Sequence, residues 1–277
     1  MTITLTSTID DCDVTQTQHT PSDEVAPERL PLAGLFGLGT AGFITIMTEA
    51  LPAGILPAMS ADLGVTASAA GQTVTVYALG SALAAVPLTA LTIGWPRRRL
   101  LLIAVAGFAV ANTVTATSSS YVLTMGARFV AGIVAGLLWA LLAGYARRMV
   151  TPAQRGKAMA IAMAGTPVAL SIGVPAGTYL ANLAGWRYTF AIITVLTLVL
   201  IAWIIAAVPS FPGTTRSDRQ PVWRAIRIPG VASVLFVTLT FVLAHNILYT
   251  YLAPFLAPLG LAQRIEGLPP VWLTPDL

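Results

Sequence analysis

Apolar residues fall in long blocks along this chain, separated by short polar joins. A helix rising about 1.5 Å per residue needs roughly twenty apolar residues to cross about 30 Å of hydrocarbon. Seven blocks meet that length, at 32–57, 71–92, 100–117, 121–145, 157–181, 187–208 and 229–251. The joins are short except at 209–228, a longer polar stretch containing Arg216, Arg219, Arg224 and Arg227. The pattern predicts an all-α membrane protein: a tail at 1–31, a six-helix bundle at 32–208, a central loop at 209–228, a seventh helix within 229–260, and a Pro-rich tail at 261–277.

Charge gives the helices an orientation. Arg29, Arg97, Arg98, Arg99, Arg147, Arg148, Arg155, Lys157 and the four arginines of 209–228 occupy alternate joins, and the other joins hold only Arg187 and Arg264. Basic joins stay cytoplasmic, so the N-terminus is expected inside a cell membrane crossed several times. Arg128, the remaining cation, lies within a block.

Composition narrows the function classes. With 56% hydrophobic and 9% charged residues, against about 25% charged in soluble domains, lipid is the expected solvent for most of the chain. The net charge of +4 is explained by the basic joins, so no nucleic-acid partner is expected. Cys12 is the only cysteine, and His19 and His245 are far apart, which leaves no disulfide framework and no metal site. Gly37, Gly39 and Gly42 match a GxGxxG spacing but lie inside an apolar block with no strand before them, so they do not read as a dinucleotide site. There is no phosphate-binding loop to make the chain an ATP-driven engine or an enzyme.

Polar groups deep in apolar blocks are functional candidates, because lipid penalises them unless they are paired or hydrated. Glu49 lies about eight residues before the outer end of the first block and Arg128 about seven residues into the fourth. Both are then roughly 10 to 12 Å below the outer surface. Glu49 is neutral when desolvated and alone and charged when Arg128 or water reaches it, so its proton can follow conformation. A static ion pair locking two helices is the alternative. Small residues form a second signal: Gly132 and Gly136 in the fourth block, and Gly173 and Gly177 in the fifth with Gly165 nearby, permit close helix contact, while Pro175 bends the fifth. In the seventh block His245, Asn246 and Tyr249 interrupt the apolar run, as a substrate-facing stripe or as interhelical hydrogen-bonding groups.

Taken in order, these segments resemble a known family. The run TEALPAGILPAMSADLGVTASAAGQTVTVYALGSALAAVPLTAL resembles the first two helices of drug and sugar efflux permeases of the major facilitator superfamily, in the proton-antiporter group. Arg128 with Gly132 and Gly136 resembles the fourth-helix motif, and Gly173 to Gly177 the fifth-helix antiporter motif. Gly185, Trp186, Arg187 and Phe190 resemble the opening of the sixth helix, and HNILYTYLAPFL the seventh. The join from Thr92 to Arg99 keeps the basic residues of the family's signature and lacks its Asp.

The resemblance implies a six-helix N-terminal bundle plus one helix of a twelve-helix carrier. It further implies proton-coupled efflux of a small-molecule substrate, drug or sugar, with the proton as coupling ion and no other cofactor. Alternating access needs two bundles, so the expectation is a truncated chain, inactive unless a second half-transporter or homologue joins it in the bilayer. A non-transporting membrane subunit is the alternative. A seven-helix retinal protein is disfavoured because the seventh block has no lysine.

Overall fold

The computed structural model describes residues 30–213 and 227–256, the side chains of the last helix being described through residue 244. Residues 30–213 belong to one compact unit. Six of its helical segments are long and apolar enough to cross a membrane. In chain order the helices are α1 (Leu32–Gly54), the short α2 (Leu56–Leu63), α3 (Ala67–Leu91), α4 (Arg97–Thr117) and α5 (Tyr121–Arg148). A composite fifth span follows, built from α6 (Arg155–Met163), α7 (Gly165–Val168) and α8 (Val174–Ala184), and α9 (Trp186–Ala207) completes the unit. A second unit contains α10 (Val231–Leu256). Among the described residues there are no strands.

Local chemistry sets the helix limits. The Thr66 hydroxyl accepts from the Ala69 N–H at 3.2 Å, capping α3 two residues after Gly64 ends α2 in the left-handed conformation. Gly185, at φ 96°, makes the one-residue turn between α8 and α9 that a side chain would strain. The first apolar block is not a single helix to residue 57. α1 stops at Gly54 and α2 begins at Leu56, because Pro57 has no N–H to continue the ladder and its ring would meet the carbonyl four residues back. The fifth span is interrupted as well. A π-turn occupies Ala169–Gly173 just before Pro175, whose nitrogen leaves the Ser171 carbonyl without its usual partner.

Packing centres on α1, which touches every other span of this unit. α3 lies along α5, and α4 lies between α5 and α9. Buried threonines such as Thr45, Thr115 and Thr197 turn their hydroxyls back onto the carbonyl four residues earlier, at 2.6 to 2.8 Å. That satisfies them within their own helices, as a dry interior requires. Outward faces carry Leu79, Leu83 and Val86 on α3 and Val195, Leu198 and Val199 on α9, all exposed. Large apolar side chains facing outward on spanning helices suit acyl chains as their surroundings.

The two ends of the unit differ. At one, the start of α4 and the end of α5 meet the segment after α9: the Arg97 N–H donates to the Phe211 carbonyl, Arg98 to that of Ile205, and Tyr145 to that of Pro209. This end holds Arg97 to Arg99, Arg147, Arg148, Arg155 and Lys157. At the other, α2 and the end of α4 meet the start of α9, the start of α5 meets the start of α3, and Arg187 is the one cation there among the described residues.

Candidate functional site

Four spans, α1, α3, α4 and α5, contribute to one buried polar cluster. Arg128 on α5 is wholly buried, and its guanidinium is held mainly by main-chain oxygens. Nη1 donates to the Thr48 carbonyl at 2.5 Å, and longer contacts of 3.4 Å run from Nη2 to the Glu49 carbonyl and from Nε to that of Thr73. The guanidinium carbon lies 4.8 Å from the centre of the Tyr77 ring, a cation–π contact between two fully buried side chains. Tyr77 in turn donates to the Thr45 carbonyl at 3.4 Å.

A helix carbonyl is ordinarily occupied by the N–H four residues on. For Thr48 that residue is Pro52, which has none. The proline therefore frees the oxygen that Arg128 takes, and the run from Thr48 to Pro52 builds an acceptor for a buried cation without a carboxylate. α5 comes close enough to use it because its glycines carry no side chain. A Cβ on Gly132 would collide with the Tyr77 carbonyl, and one on Gly136 would lie 2.5 Å from that of Ser81. Gly80 does the same from α3, where a Cβ would lie 2.5 Å from the Phe129 carbonyl.

Glu49 is only half-buried, and its link to Arg128 runs through its main chain. Among the described residues its carboxylate accepts no hydrogen bond and forms no ion pair with the guanidinium. Asn112 on α4, unmarked by the sequence reading, completes the cluster. Its Nδ2 donates to the Thr48 hydroxyl at 3.0 Å, and its buried Oδ1 has no partner among the described residues. A lone amide in the apolar run of α4 was the available signal.

The remaining sequence candidates are distributed around α1. A Cβ on Gly165 would strike the Gly39 carbonyl, one on Gly173 would lie 2.6 Å from Met47 Sδ, and one on Gly177 2.9 Å from Leu51 Cδ1. These contacts seat the fifth span, with its π-turn and Pro175, against the helix that carries Glu49. His245, Asn246 and Tyr249 lie along α10, outside the residues whose side chains are described.

At the end opposite the arginine cluster, Asp62 on α2 accepts from Trp186 Nε1 at 2.9 Å and pairs with Arg187. Arg187 also donates to the Ser118 carbonyl at 2.8 Å and lies over the Trp186 ring. The Trp-Arg pair that opens α9 thus ties α2, α4 and α9 together, a connection that the sequence did not indicate.

Comparison with known proteins places this geometry. The family model "Major Facilitator Superfamily" matches residues 38–274, a range that includes most of the segment set apart above as a tail. "Purine ribonucleoside efflux pump NepI" from Shigella sonnei is 29% identical over 229 residues, covering 83% of this chain and 58% of that protein. Its Escherichia coli counterpart is 29% identical over 209 residues, covering 76% of this chain and 53% of that protein. The chain spans about half the length of the curated relatives it matches. Among solved structures, the peptide transporter POT in complex with alafosfalin aligns with a TM-score of 0.59 at 13% identity, over 84% of this chain and 50% of that one. The inward-open xylose transporter XylE from Escherichia coli aligns with a TM-score of 0.51 at 19% identity, over 86% of this chain and 61% of that one. At such identities the likeness is one of fold. The chain belongs to the major facilitator superfamily and is a multi-pass membrane protein of a transporter family.

Proposed function

We propose that this chain supplies the proton-exchanging bundle of an exporter of small molecules, with Glu49 carrying the proton and Arg128 setting when it is held. The supporting observation is the half-buried Glu49 carboxylate, free of hydrogen bonds among the described residues, one residue from the carbonyl that anchors the Arg128 guanidinium. A carboxylate at the edge of a dry cluster keeps its proton when desolvated and releases it when water or the guanidinium approaches. The π-turn before Pro175 lies in the span packed on α1, so a change of bend there moves the helix that bears Glu49. The names of the curated relatives suggest purine ribonucleosides as the cargo. The arginine-bearing end faces the cytoplasm in this reading, by the charge asymmetry of the joins.

The test is a proteoliposome assay with an imposed pH gradient, following efflux of a labelled purine ribonucleoside together with proton movement. Glu49→Gln should uncouple the two, leaving binding but no proton-driven accumulation. Coupling that survives in Glu49→Gln would remove Glu49 as the carrier.

A second reading follows from alternating access, which needs two opposing bundles: this one works as a subunit beside a second bundle. Flux would then appear only when a partner half is co-expressed, and the two would purify as a discrete complex. Robust coupled flux by the chain alone would exclude it.

A further inference from the structure

At the arginine-bearing end a cavity of about 580 Å³ opens between the end of α5, the start of α6 and the segment after α9. Arg147, Arg148 and Arg155 line it, with Gly144, Val150 and Phe211 among the other walls. A smaller cavity of about 140 Å³ shares Gly144 and Arg148 with it and reaches Arg97 and Tyr145. Among the described residues no carboxylate lines the larger cavity, and the acids between residues 30 and 213 are Glu49, inside the bundle, and Asp62, taken up by Arg187 at the opposite end. Arg148 spends one donor on the Pro212 carbonyl at 3.0 Å, and Arg155 stands at the positive N-terminus of α6.

We propose that this cavity is a binding site for the phosphate of an anionic phospholipid. Guanidinium forks match phosphate oxygens two at a time, and the convergence of Arg147, Arg148 and Arg155 on one cavity suits such a ligand. Depth favours a lipid over a soluble phosphate. α5 has 28 residues and is therefore ~42 Å long, close to the thickness of a bilayer including its headgroups. Its last turn, with Arg147 and Arg148, lies at the level of the phosphates. Val150 and Phe211 supply apolar walls for the glycerol and the first acyl carbons.

The full chain, purified in a neutral detergent, would be offered phosphatidylglycerol or phosphatidylcholine, with retained lipid read by native mass spectrometry and thermal midpoints recorded in parallel. Wild type should retain phosphatidylglycerol selectively and gain thermal stability from it. Arg147→Gln with Arg155→Gln should weaken retention about tenfold or more, given the usual gain per basic residue at an anionic surface. Gly144→Leu keeps every charge and enters space in which an added Cβ meets nothing within 4 Å. It should fold, as judged by circular dichroism without lipid, and still lose the lipid, so it carries the test if the double variant does not fold. Arg99→Gln, at the same end but outside both cavities, should bind like wild type. The proposal is overturned if Gly144→Leu retains phosphatidylglycerol as well as wild type does, if phosphatidylcholine is held equally, or if millimolar inorganic phosphate displaces the lipid and is bound instead.

Discussion

Arg128 and Arg187 both lie near the non-cytoplasmic side of the proposed topology, yet the bundle holds them by different means. Arg187, at the rim, is paired with Asp62, and the two side chains are 29% and 50% exposed. Arg128 is fully buried, and its short hydrogen bond goes to a neutral carbonyl. Water shares the solvation of the rim pair, so an ordinary ion pair suffices there and contributes little. In the interior a carboxylate would bring a second desolvation cost. The proline-freed carbonyl of Thr48 and the ring of Tyr77 hold the cation without a carboxylate.

The strongest way to break this comparison is Arg128→Met, which fills the space but leaves the Thr48 carbonyl without a donor. Removing one side of a buried, charge-assisted contact should cost about 3 kcal/mol, seen as a lower thermal midpoint of the purified chain. A variant as stable as wild type would mean that burying the charge costs as much as its contacts return. Pro52→Ala sharpens the point. An alanine N–H competes for the Thr48 carbonyl, so total stability should stay within about 1 kcal/mol of wild type while proton-coupled flux falls. Unchanged flux would detach the proline from the site. The smallest effect belongs to the rim. Asp62→Asn keeps the shape and removes the ion pair, and should cost about 0.5 kcal/mol at low salt and less at high salt. A salt-independent loss of several kcal/mol would place that clamp among the essential contacts.

Much of the fold was legible in the chain because hydrophobic length and basic joins are local quantities. The six spans appear near the limits read from the sequence, and Arg128, Gly132 and Gly136 share a helix as their spacing required. The breaks were harder to see. Pro57 and Pro175 are visible as residues, but whether a proline kinks a span, ends it or is absorbed by a π-turn depends on what packs beside it. Glu49 and Arg128 were matched by depth, and that estimate could not tell a carboxylate contact from a carbonyl contact. Asn112 was missed because one amide in an apolar helix gains meaning only from its neighbour, here the Thr48 hydroxyl.

By itself the sequence determined that the chain lives in lipid, where the six membrane-length spans of residues 30–213 run, which joins carry the cations, and which few charges stand inside the apolar blocks. These follow from transfer free energies that depend on residue type and run length alone. The tertiary structure decided what those buried charges touch. Three helices had to meet before a carbonyl on α1, orphaned by Pro52, could face a guanidinium on α5 brought close by the glycine contact with α3. A hydrogen bond between elements 80 residues apart is a property of packing, which residue-by-residue hydropathy does not contain.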